Sequence, residues 1–141
     1  MQEIRVGVIG AGANTVAHHI PNLQAIPGVT VAAVCNRSRE SSARVAERFG
    51  IPQIYERWQE LAAAPELDAV VIGTWPYMHS PATLAALAAG KHVLCEARMA
   101  MNLAEARAMR DAARARPELV AQLVPAPHTL AVDASVRRLL A

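Results

Sequence analysis

VGVIGAGANTVAHH, residues 6–19, joins a run of apolar residues to a helical stripe through two glycines. Residues 4–10, IRVGVIG, predict a buried strand. Ala13, Val16, Ile20 and Leu23 then recur at helical spacing, and Pro21 should kink or restart that helix. Gly10, Gly12 and Thr15 stand on the frame G-x-G-x-x-G/A. The first glycine of that frame permits a tight strand-to-helix turn, and the second lets a pyrophosphate approach the backbone. The helix start, here Ala13, Asn14 and Thr15, supplies amide donors and partial positive charge to such a group. The plain alternative is a tight turn that binds nothing. The strand before the glycines and the helix after them favour a dinucleotide. Thr15 departs from the small residue usual at the third position.

Outward from this turn the chain alternates. VTVAAVC (29–35), PQIYE (52–56), DAVVIGT (68–74), KHVLCE (91–96) and ELVAQLV (118–124) read as further strands. Ser42, Val45, Ala46 and Phe49 form a helical stripe closed by Gly50, and a short helix is expected over 58–64. Ser80 is expected to cap the next helix, with Pro81 at its first position and Gly90 at its end. Asn102 and Glu105 make an approximate capping box ahead of Leu103, Ala106, Met109 and Ala113. Val132, Val136, Leu139 and Leu140 begin one more amphipathic helix. Strands that are apolar throughout, alternating with helices, predict an α/β Rossmann fold. The expected form is a doubly wound parallel sheet of about six strands, order 3-2-1-4-5-6, with helices on both faces. Ligands of such sheets lie beyond the carboxyl ends of the strands.

Composition narrows the function. With 141 residues, 53% hydrophobic and 18% charged, the chain suits one globular domain. A net charge of +2 is too weak to argue for nucleic acid or an anionic membrane surface. No apolar run approaches the ~18 residues of a membrane span, and residues 1–10 lack the layout of a signal peptide. A cytoplasmic location is the expectation. Cys35 and Cys95 end the second and fifth strands. Three strand spacings of roughly 4.8 Å separate them, beyond the ~7 Å reach of a disulfide, so both should be free thiols. His18 and His19 are adjacent and point to different helix faces, and with His92 and His128 they show no metal-ligand spacing. No metal is expected.

The second strand ends VCNRSRE (34–40). An NAD site usually places a carboxylate here, on the adenosine ribose. Asn36 removes that anion, Arg37 offers a planar bidentate donor and Ser38 a hydroxyl. These residues point to NADP(H) over NAD(H). The alternative leaves Arg37 and Arg39 as a solvated helix start with NAD still bound. Asn36 also argues against a SAM-dependent methyltransferase, which shares the glycine turn but usually wants an acidic residue at this point.

GKHVLCEARMAM (90–101) reads as a buried strand that ends in Glu96 and Arg98, where charge would face a ligand. With GVIGAGANTVAHHIPNL (7–23) and VIGTWPYMHSPATLAALAAGKHVLCEARMAMNLAEA (71–106), this stretch resembles the Gfo/Idh/MocA oxidoreductases over essentially the whole chain. Thr74 and His79 match the family's Thr-Pro-Asn-x-x-His, and 90–96 its Gly-Lys-His-Val-x-x-Glu. The resemblance implies an enzyme that transfers hydride between a nicotinamide cofactor and a sugar, polyol or related carbonyl or hydroxy compound. Residues 1–125 would be its dinucleotide-binding domain. Residues 126–141 would begin the connection to a C-terminal domain that holds substrate and usually mediates oligomerisation. That domain is absent from this sequence, so a fragment of a longer gene product with little activity of its own is expected, and exposed apolar surface should favour a homo-oligomer. A naturally short cofactor-binding protein is the alternative.

The same resemblance assigns Glu96 to the nicotinamide-side ribose and brings Thr74 and Trp75 to the dinucleotide. By position, His79 would cap its helix, line the pocket or donate a proton, and Arg98 would bind an anionic group or form a surface pair; these two are the candidates for catalysis. Two departures stand out. The family's Glu-Lys-Pro is Glu96-Ala97-Arg98 here, which removes the lysine that serves substrate chemistry, and Trp75-Pro76 replaces its Pro-Asn. Lys91, the sole lysine, cannot stand in. It opens the fifth strand at the far end of the sheet, five residues away at roughly 3.3 Å each. The missing lysine favours a second class of function, a catalytically inactive nucleotide-binding regulator or scaffold.

Overall fold

A computed structural model describes residues 3–124 and Arg138. The strands are β1 (Ile4–Ile9), β2 (Val29–Cys35), β3 (Gln53–Ile54), β4 (Ala69–Ile72), β5 (His92–Cys95) and β6 (Ala121–Leu123). They form one six-stranded sheet in the order β3-β2-β1-β4-β5-β6, and every pairing is parallel. The order is the one expected for a doubly wound sheet, with its switch point between β1 and β4.

Helices cover both faces. A π-helical turn (Thr15–His19) runs into α1 (Ile20–Gln24), and α2 (Arg39–Phe49) follows β2. Ile20, Val45 and Ala46 from these helices pack on Val6, Val8, Val31 and Val34. On the other face lie α3 (Trp58–Ala63), α4 (His79–Ala88) and α5 (Leu103–Arg114). There Leu61, Ala82, Ala86, Leu87 and Met109 pack on Ile9, Val70, Ile72 and Val93. Removing these side chains from water is the main force that closes the domain, at about 25 cal/mol per Å² of apolar surface.

Local chemistry sets most element ends. Ser38 caps α2 by accepting from the Ser41 amide at 3.2 Å, and Gly50 ends that helix in the left-handed region. Asn102 caps α5 by accepting from the Glu105 amide at 2.9 Å. The Glu105 carboxylate reaches back to the Met101 amide at 3.0 Å, one residue before the usual partner in a capping box. Ser80 does not cap α4. Pro76 opens a 3₁₀ turn (Pro76–Met78) that runs directly into a helix beginning at His79, so Ser80 lies inside the first turn, buried. The sixth strand is shorter than expected. A turn closed by Leu119 N to Arg116 O, with Pro117 inside it, runs into its first residues. Pro21 follows the π-helical turn, in which the Ile20 amide bonds Thr15 O. The expected helix over 132–140 lies outside the described residues apart from Arg138.

Cys35 and Cys95 are buried free thiols with two strands between them. Burial pushes the Cys95 thiol up to about 11 and raises that of Cys35. Lys91 is also buried, at the amino end of β5, where its ammonium donates to Leu67 O at 2.6 Å.

Candidate cofactor-binding site

The strands end in register. Cys35, Ile9, Ile72 and Cys95 face one another across β2, β1, β4 and β5. The residues that follow them, Asn36, Gly10, Gly73 and Glu96, therefore form a row along the carboxyl edge. Backbone bonds continue the ladder into this row, from Gly10 N to Cys35 O, Gly73 N to Ile9 O and Glu96 N to Ile72 O, each 2.9 Å. A cleft of about 1110 Å³ opens above it. Gly10, Gly12, Ala13, Asn14, Thr15, Asn36, Arg37, Thr74, Trp75 and Glu96, all candidates from sequence, line this cleft. Ser38, His79 and Arg98 do not.

The glycine turn is shaped by two different demands. Gly10 has φ +82°, and a Cβ there would come within 2.8 Å of the Thr74 amide nitrogen. Its glycine is required by the fold. Gly12 lines the cleft, and among the described residues a Cβ there would meet nothing nearer than Gly73 O at 3.9 Å. Among the described residues no close contact requires glycine at that position. Thr15, at the third position, is buried and bonds Gly10 O at 3.3 Å. Gly73 makes room for it, because a Cβ on Gly73 would fall 2.1 Å from Thr15 Oγ1. The close packing usually given by a third glycine in the turn is supplied from the neighbouring strand.

At the other end, Asn36 binds the turn itself. Its Oδ1 accepts from the Ala11 amide at 2.6 Å, and its Nδ2 donates to Ser41 Oγ and Ser41 O. Arg37 is exposed beside it, and Ser41 lines the cleft. Ser41, not Ser38, lines the cleft, and Ser38 Oγ accepts from the Ser41 amide in the α2 cap. Glu56 and Trp58 complete this end, with Glu56 paired to Arg39 at 2.6 Å.

At the β5 end, Glu96 leans over the helix start. It accepts from Asn14 Nδ2, from His19 Nε2 at 2.5 Å, and through Oε2 from the Ala97 amide at 3.0 Å. Burial pushes the Glu96 carboxyl up, but the bonds from His19, Ala97 and Asn14 outweigh it and hold the group below its ordinary value. Trp75 and Tyr77 stand exposed on the loop after β4, 76% and 59% accessible.

His79 does not line the cleft. It is 0% exposed, with Nδ1 2.6 Å from Arg98 O and Nε2 2.9 Å from Thr74 O. It joins the loop after β4 to the loop after β5 from below and offers no ring nitrogen to the cleft. Arg98 is exposed beyond the rim, and the Ala97–Arg98 peptide is cis. Among the described residues, no group of three His, Cys, Asp or Glu side chains could hold a metal ion. No helix of the described residues is long and apolar enough to cross a membrane. Ser41, Glu56 and Trp58, which line the cleft, and His19, which bonds Glu96, were not singled out from sequence, because each reaches this edge through tertiary placement.

Comparison with known proteins agrees with the geometry. Residues 4–122 match the model of an oxidoreductase family with an NAD-binding Rossmann fold. The chain is 41% identical over 112 residues to 1,5-anhydro-D-fructose reductase of Ensifer adhaerens, covering 78% of this chain and 33% of the relative. It is 38% identical over 118 residues to trans-1,2-dihydrobenzene-1,2-diol dehydrogenase of Mus musculus, covering 80% and 34%. A solved 3-ketoreductase of Actinomadura kijaniata, KijD10, in complex with NADP and TDP-benzene superposes with a TM-score of 0.78 at 32% identity, covering 86% of this chain and 37% of that one. The chain thus spans about a third of the length of the curated relatives it matches. Its strand order, its glycine turn and the match over 4–122 place it in one group: the chain belongs to the Gfo/Idh/MocA oxidoreductase family and carries that family's NAD-binding Rossmann fold.

Proposed function

We propose that this chain is the cofactor-binding part of an NAD(P)-dependent oxidoreductase that prefers NADP(H). The observation that carries the reading is the open side of Gly12, a glycine that no protein contact requires, facing a cleft at the carboxyl edge of the sheet. The pyrophosphate lies against the backbone of 12–14, at the positive end of the following helix. The adenosine ribose sits over Asn36, with its 2′-phosphate between the Arg37 guanidinium and the Ser41 hydroxyl. The nicotinamide end crosses Thr74 and Trp75 and reaches Glu96, whose carboxylate accepts a ribose hydroxyl. The nicotinamide supplies the hydride chemistry; this chain's residues bind it, orient it and screen it from water.

The substrate is a sugar, polyol or related carbonyl or hydroxy compound, held by a further domain beyond residues 1–125. The relatives' greater length and the exposed Trp75, Tyr77, Met101 and Leu103 support that domain. The same apolar side chains favour self-association. The two buried thiols and the modest charge are in keeping with a cytoplasmic protein that binds neither nucleic acid nor membrane. Alone, the chain turns over little, since Ala97 carries no proton-transfer group and His79 is sealed from the cleft.

Calorimetric titration with NADPH and NADH tests the reading. NADPH is expected to bind more tightly. Arg37→Ala should weaken NADPH about tenfold, the loss of one charge-assisted contact, and leave NADH nearly unchanged. Equal affinities for the two cofactors would remove the NADP preference, and no binding of either would remove the reading. Ala97 favours one other reading, an inactive nucleotide-binding regulator or scaffold. Reduction of any sugar carbonyl with NADPH, or oxidation of any polyol with NADP+, by the full-length gene product decides against it.

A further inference from the structure

His19 was not among the residues that the glycine motif marks, yet it makes the 2.5 Å contact that ties the first helix to the end of β5. The side chains of His19 and Glu96 are only 15% and 16% exposed. The local backbone explains why the histidine reaches so far. The helix passes through a π turn over Thr15–His19, closed by the Ile20 amide on Thr15 O. A π turn carries an extra residue, which rotates the following side chains relative to an α-helix. His18 is left exposed, and His19 faces Glu96.

The carboxylate is held from three directions. His19 Nε2 and Asn14 Nδ2 donate to Oε1, and the Ala97 amide donates to Oε2 at 3.0 Å. Asn14 and Glu96 line the cleft, the Ala97 amide belongs to the residue next to Glu96, and His19 is the partner that comes from the first helix without lining the cleft. With Oε1 pinned by two donors, the carboxylate keeps acceptor capacity on the side facing the cleft. A carboxylate free to rotate would spread its orientations and lose affinity for a hydroxyl placed at one point.

We propose that His19 is a positioning residue, which by donating from Nε2 to Glu96 Oε1 fixes that carboxylate to receive the nicotinamide-side ribose. The proposal rests on the dinucleotide reading above and deepens it: the histidine controls the nicotinamide half of the cleft and leaves the adenosine half alone. The pair is also a bond between two segments 77 residues apart in sequence, so a merely structural role must be separated from positioning.

Two probes separate them. NADPH reports the whole cleft, and 2′,5′-ADP reports the adenosine half only. In His19→Leu, NADPH should bind about tenfold more weakly, the size of one lost hydrogen bond to a charged group, while 2′,5′-ADP binds as before. His19→Gln, whose amide can donate from a similar reach, should recover most of the loss. Glu96→Gln combined with His19→Leu should lose no more than Glu96→Gln alone, because the histidine acts through the carboxylate. Unchanged NADPH affinity in His19→Leu, equal losses for both probes, or additive losses in the double variant would each overturn the proposal. If the parent chain binds 2′,5′-ADP but shows no gain for NADPH, the inference falls and the adenosine site stands. If it binds neither, the dinucleotide reading falls and takes the inference with it. His19→Gln also serves where His19→Leu fails to fold: loss of NADPH affinity in a folded His19→Gln to the extent that 2′,5′-ADP is lost would overturn the proposal equally.

Discussion

Gly10→Ala should lower folding stability by about 3 kcal/mol, the sum of a left-handed backbone penalty and an overpacked contact. The first contribution comes from φ +82° at this residue. The second comes from Thr74, whose amide nitrogen and Cα would lie 2.8 and 2.9 Å from the new methyl carbon. Thr74 Cγ2 would be nearer still, at 2.5 Å, but a side chain can rotate away more easily than a backbone one residue past a ladder bond can shift. Gly10 N is bonded to Cys35 O and Gly73 N to Ile9 O, so the two strand ends are fixed against each other. Urea unfolding should show a lower midpoint with an unchanged slope. A loss under about 1 kcal/mol would mean that the turn relaxes and that the glycine is not demanded by the fold.

Gly12→Ala should do the opposite. Stability should stay within about 0.5 kcal/mol of the parent, because the added methyl meets only Gly73 O at 3.9 Å. Affinity for the preferred dinucleotide should fall about 30-fold, or ~2 kcal/mol, since the methyl occupies the place where the pyrophosphate meets the backbone. The comparison is internal: two glycines with one residue between them, one serving the protein and one expected to serve its ligand. A Gly12→Ala protein that binds NADPH as tightly as the parent would place the phosphates elsewhere in the cleft and undo the pose on which Arg37 and Glu96 were assigned.

What could be read from the letters follows from how local each cause is. The sheet was legible because β1, β2, β4 and β5 are apolar on both faces, and such runs have few alternatives once helices separate them. The strand ends were legible for the same reason, which placed Gly10, Asn36, Thr74 and Glu96 on one edge. The partners of Ser38 and His79 could not be read from sequence because they are decided in three dimensions. Ser38 could serve either a ligand or its own helix, and the unpaired Ser41 amide is three residues away whether or not a ligand is present. His79 looked free in sequence, but both of its nitrogens meet carbonyls from loops 5 and 19 residues away. His19 was illegible because a π turn shifts the phase of the helix, and no periodicity rule anticipates that shift. Thr15 looked like a defect in the glycine motif. Its compensation, Gly73, lies 58 positions later, where no local pattern links the two.

The buried ammonium at the amino edge of β5 bears on labelling. Lys91 is the sole lysine in the sequence, it is 7% exposed, and it is bonded to a carbonyl. Acylating reagents that seek primary amines have no lysine target on the folded surface. Modification of that side chain should track excursions in which the sheet comes apart, so its rate would serve as a clock for opening of the whole domain. Dinucleotide added in excess should slow the clock. If lysine modification instead ran at the speed of a free amine, the ammonium would have to be exposed in the native state.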